Sequence, residues 1–106
     1  MRCTRGLVRL PLRYENTAQA PCCQGLVFIF KLDEIIEIYA APDVQQWVED
    51  ILGGLEPDLN DATHFAFRVS LTGADELEAI AEYSFVYKRL PRGYKARFIP
   101  RLPTGN

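Results

Sequence analysis

One hundred and six residues, with 48% hydrophobic and 25% charged side chains, describe one ordinary domain and exclude a disordered chain. The formal net charge of −2 and the sequence pI near 5.3 argue against the broad basic footprint of a nucleic-acid binder. Three cysteines, Cys3, Cys22 and Cys23, are an odd number, and two of them are adjacent. Neighbouring cysteines close only a strained ring, so free thiols and a reducing, cytoplasmic compartment are expected.

No apolar run approaches the ~20 residues that span a bilayer. The first residues alternate Leu and Arg instead of forming a targeting segment, and a soluble protein is expected.

Residues 5–13 alternate, with Arg5, Leu7, Arg9, Pro11 and Arg13 on one side and Gly6, Val8, Leu10 and Leu12 on the other. Period two marks a half-buried strand, and Pro11 places it at a sheet edge because proline cannot donate to a ladder. A loop is expected over 15–24. Leu26-Val27-Phe28-Ile29-Phe30 has no polar alternation and reads as a central strand covered on both faces. Asp33-Glu34 turns the chain into another strand over 35–39.

In 42–55, Val44, Trp47, Val48, Ile51, Leu52 and Leu55 recur at helical spacing. Pro42 and Asp43 suit the start of this helix, and Gly53-Gly54 supplies its left-handed stop, giving one principal helix over residues 42–54. A loop over 56–61 leads to an amphipathic strand, in which Thr63, Phe65, Phe67, Val69 and Leu71 alternate with His64, Ala66, Arg68 and Ser70.

Residues 75–87 admit two readings. Asp75 and Glu78 stand at capping-box spacing, and Leu77, Ile80 and Ala81 could line a helix. Leu77, Ala79, Ala81, Tyr83, Phe85 and Tyr87 also alternate without a break, and the strand reading is preferred on that count. Leu90-Pro91-Arg92-Gly93 fits a type I turn joining strands 83–89 and 94–102 as a hairpin, with a frayed tail from 103. The expected fold is α+β: an antiparallel sheet of five or six strands with one helix on a face. The element order resembles that of PAS-like and profilin-like modules, which implies a small sensor as one alternative function.

Charge is partitioned along the chain. Residues 1–31 carry five cations against Glu15 (+4), residues 32–83 thirteen carboxylates against Arg68 (−12), and residues 84–106 six cations and no acid (+6). Nine of the twelve cations are arginine, whose planar fork suits contacts with carboxylate, phosphate and rings. Three readings are open. The basic ends close on acidic surfaces of the same molecule, or dock an acidic protein or a second copy, or bind RNA or single-stranded nucleic acid through Arg and stacked rings.

A protein-binding or assembly module is the function expected here, acting on an acidic protein surface or by self-association, with nucleic acid the alternative and no membrane. The expected contact residues are Arg5, Arg9, Arg13, Lys88, Arg89, Arg92, Lys95, Arg97 and Arg101, with Tyr87 and Tyr94.

No catalytic residue, metal or cofactor is expected. His64 is the single histidine; a couple with Cys22 or Cys23 would require convergence in space. Cys22-Cys23 lacks the spacer of a zinc or redox pair, and the carboxylates lack calcium-loop spacing. Gly53-Gly54 ends a helix instead of preceding one, unlike a phosphate loop.

Overall fold

The structure, a computed structural model, describes residues 6–69, 74–89 and 91. Its elements are β1 (Leu10–Pro11), α1 (Tyr14–Thr17), β2 (Gly25–Lys31), β3 (Glu34–Ala41), α2 (Val44–Leu52), a 3₁₀ turn (Pro57–Leu59), β4 (His64–Val69) and α3 (Ala74–Tyr87). The four strands form one antiparallel sheet in the order β1-β4-β2-β3. The α+β class is as expected; the strand count is four among the described residues, not five or six.

β2 sits between β4 and β3, and Gly25 to Phe30 are all buried. Its unbroken apolar sequence follows from helices on both faces. Val27 and Ile29 point into a cluster with Val44, Trp47, Val48 and Ile51 of α2. Leu26, Phe28 and Phe30 point into a second cluster with Ala79, Ile80 and Tyr83 of α3. Alternation along β2 thus feeds two cores, each of which removes large apolar areas from water. At the start of β2 a side chain is excluded: a Cβ on Gly25 would stand 2.8 Å from Val44 Cγ2 and 2.9 Å from the Arg68 carbonyl.

The β2–β3 hairpin turns at Leu32 and Asp33, with Leu32 at a φ of 57° and Glu34 already in the strand. A register shift between Ile29 and Phe30 sets Glu37 opposite Ile29 and Ile35 opposite Phe30, so a bulge bends the outer strand.

α2 is two residues shorter at each end than 42–54. Asp43 is its N-cap, with Oδ1 accepting from the Gln46 amide at 3.0 Å, which leaves Pro42 outside the helix. Gly54, at a φ of 82°, ends it: the Gly54 amide donates to Ile51 and the Leu55 amide to Asp50, the paired bonds of a Schellman turn. That turn carries Leu55 off the helical stripe, and it is exposed.

Three further expectations are corrected. The first strand pairs only at Leu10 and Pro11, not over 5–13, although it does lie at the edge. The loop expected over 15–24 begins with α1, one turn lying against α2. The Gln45 side-chain amide fastens the end of α1 and the loop beyond it, donating to the Thr17 and Ala20 carbonyls at 3.0 and 3.2 Å.

Residues 74–87 are helix, not strand, so the expected last hairpin loses its first strand. At 100° per residue, Ala79, Ile80 and Tyr83 fall on one side and are buried, while Leu77, Ala81 and Phe85 fall on the other and are exposed. A helix apolar on two sides mimics period two. The Tyr83 hydroxyl donates to the Ile35 carbonyl at 2.7 Å and ties α3 to β3. The expected turn at 90–93 lies partly outside the described residues; strand 94–102 and the tail lie wholly outside them.

Candidate functional site

The expected contact residues separate into three groups. Arg5, Arg92, Tyr94, Lys95, Arg97 and Arg101 lie outside the described residues. Arg13 is exposed where the chain enters α1, and with β1 cut to two residues it does not share a strand face with Arg9. Arg9, Tyr87, Lys88 and Arg89 are the ones with defined surroundings.

Arg9 and Arg89 are brought to the same turn by adjacent carboxylates. Arg9 Nη1 donates to Asp33 Oδ1 at 3.1 Å and to the Leu32 carbonyl at 3.2 Å, and its guanidinium lies 5.1 Å from the Phe30 ring centroid. Arg89 pairs with Glu34, and its guanidinium lies 6.0 Å from the Tyr83 ring and 5.7 Å from the Tyr87 ring. Lys31 pairs with Asp61 at 3.2 Å. Part of the charge partition therefore closes inside the molecule, through pairs that remain half exposed and individually contribute little.

An open cleft of about 440 Å³ lies at this turn, lined by Arg9, Leu32, Asp33 and His64. His64 Nδ1 is 2.8 Å from Thr63 Oγ1, a hydroxyl–imidazole contact of the type that activates nucleophiles. The Thr63 hydroxyl is already engaged, accepting from the Leu32 amide at 2.7 Å and reaching the Phe30 carbonyl at 3.4 Å. These bonds hold the left-handed Leu32 turn, a structural task that accounts for the pair.

Convergence of His64 with the vicinal cysteines does not occur. Cys22 and Cys23 precede Gly25 at one end of β2, and His64 is paired with Phe30 at the other, roughly 17 Å along the strand. Both thiols are free and exposed, with Cys22 Sγ hydrogen-bonded to Gln45 Oε1 at 3.0 Å. Among the described residues no three His, Cys, Asp or Glu side chains are grouped to hold a metal ion. Cys3 lies outside them.

The surface that sequence reasoning missed is the outer face of α3. Of nine large hydrophobic side chains exposed among the described residues, four belong to this helix: Leu77 (54%), Phe85 (76%), Val86 (49%) and Tyr87 (37%). Leu77, Ala81 and Phe85 form one outward stripe, flanked by exposed Glu78. At the C-terminal end Lys88, at a φ of 60°, holds its ammonium 4.8 Å from the Phe85 ring centroid, beside Arg89. The i, i+4, i+8 spacing of Leu77, Ala81 and Phe85 was the available signal, hidden by the competing alternation. Among the described residues no helix is long and apolar enough to cross a membrane. Compared with protein families, curated proteins and solved structures, the chain finds no match in any of the three.

Proposed function

We propose that this chain is a small non-enzymatic protein-binding or assembly module, and that it docks a carboxylate-bearing apolar surface on the outer face of α3. The observation that carries this reading is the Leu77–Ala81–Phe85 stripe, ending at Lys88 over the Phe85 ring. Contiguous exposed apolar side chains rimmed by charge mark contact surfaces, and aromatic and arginine side chains are enriched in them. The contact set expected from sequence is thereby narrowed to Lys88 among the described residues, joined by Phe85 and Leu77; Arg9 and Arg89 belong to the hairpin turn, and Tyr87 packs on Tyr83 beside Arg89. Free, exposed Cys22 and Cys23 favour a reducing, cytoplasmic location.

The test is capture on the immobilised full chain at about 50 and 500 mM salt, a range over which screening changes strongly. Wild type, Phe85→Glu and Lys88→Glu are compared, with protein and nucleic-acid stains. A protein retained by wild type should be lost with Phe85→Glu at both salts. Lys88→Glu should reduce capture chiefly at low salt, where complementary charge guides docking. Retention of RNA, with several ions' worth of salt dependence, would replace this reading with the nucleic-acid one.

A further inference from the structure

We infer that the partner of the α3 face is a second copy of this chain, docked antiparallel through α3 about a two-fold axis. The inference rests on the protein-binding reading above and names the occupant of the same surface. The outer face of α3 carries opposite charge at its two ends, with exposed Glu78 in its first half and exposed Lys88 just past its last residue. An isologous interface must be complementary to itself, each contact occurring twice. Turning one copy of the helix end for end about the level of residue 83 produces that match. Lys88 of each copy, the first residue past the helix, then comes level with the other's Glu78.

The apolar stripe obeys the same symmetry. In this register Phe85, the most exposed large hydrophobic among the described residues, meets the second copy's Ala81, and the converse contact forms across the axis. The small residue at 81 leaves room for the ring, as facing positions of packed helices require. Leu77 closes each end of the stripe. A carboxylate-bearing apolar surface is what the cationic end of α3 calls for, and α3 supplies one itself.

One helix per copy makes a small interface, so the dimer should be weak and set by concentration. The full chain is followed by sedimentation velocity over about 1 µM to 1 mM, the range of weak association. Wild type should move from the 12.1 kDa monomer toward twice that mass as concentration rises. Phe85→Glu should weaken the dimer about tenfold or more while circular dichroism and thermal unfolding stay as in wild type, because the ring lies outside both cores.

Charge exchange tests the register. Lys88→Glu and Glu78→Lys should each weaken self-association, since like charges then meet twice per dimer. Mixing the two variants should restore it, because every contact in the mixed dimer again joins opposite charges. Failure of the mixture to recover, or a wild type that stays monomeric throughout, overturns the inference. A monomeric wild type whose capture of another protein is abolished by Phe85→Glu overturns self-association and leaves the protein-binding reading standing. A chain that neither associates nor captures anything loses both.

Discussion

Trp47 shows how a single side chain reports on a helix face. It is 9% exposed, its ring centroid is 4.6 Å from that of Tyr39 on β3, and it belongs to the cluster between α2 and the sheet. Trp47→Ala empties a site that its neighbours can refill only in part. The expected loss is about 3–5 kcal/mol, read from urea or guanidinium unfolding. A loss below about 1 kcal/mol would place the ring outside the core. The thiols make the opposite case. Replacing Cys3, Cys22 and Cys23 together by Ser should leave the unfolding midpoint and partner binding close to wild type, since the two described thiols are exposed and unbridged. One equivalent of zinc in the purified chain, lost in the triple variant, would refute this.

At the scale of the element, α3 is where local pattern misled. A strand tolerates an apolar residue at every second position when one face is buried. A helix produces the same string when it buries one side and leaves the other apolar. The capping-box spacing of Asp75 and Glu78 pointed to the helix, but local signals of that size are easily outweighed by a long alternation. Ala81 separates the two structures experimentally, because it is exposed and its replacement acts through the backbone. Ala81→Pro removes an amide hydrogen bond in mid-helix and clashes with the preceding turn. It should cost about 3 kcal/mol or more and reduce the 222 nm signal. Ala81→Gly should cost about 1 kcal/mol by backbone entropy alone. α2, by contrast, was legible because its stripe, its Asp43 cap and its Gly54 stop agree with one another; only its bounds were misjudged, with Pro42 lying before the cap and Leu55 beyond the stop.

For the whole molecule, the partition of charge has two separate outcomes. Asp33 and Glu34, adjacent at the hairpin turn, take Arg9 from the segment before the sheet and Arg89 from beyond α3. The acidic middle thus draws parts of both basic ends onto one turn. These pairs are exposed, so raising salt from about 50 to 500 mM should change unfolding stability by less than about 1 kcal/mol. Arg9→Ala should cost about 1 kcal/mol or less, covering both its ion pair and its contact with the Phe30 ring. Unfolding of that variant at room temperature would assign the arginine a structural weight that its exposure does not support. Lys88, held over the Phe85 ring, remains exposed on the outer side of α3.

What the amino-acid order determined by itself is whatever depends on near neighbours and on the chemistry of single residues. β2 is apolar at every position and had to be covered twice; α2 carries its own cap and stop; Pro11 confined the first strand to an edge. What only the tertiary structure decided is which distant residues meet. His64 and Cys22–Cys23 stand at opposite ends of β2 because β4 runs antiparallel to it, a relation with no trace in their spacing. Arg9 and Arg89 meet adjacent acids because α3 packs on the face away from α2. The exposure of Phe85 and the burial of Tyr83, two aromatics two residues apart, follow from the one rotation of α3 that fits Ala79, Ile80 and Tyr83 against the sheet. Periodicity constrains which residues share a side, whereas burial depends on the surface that arrives to cover it.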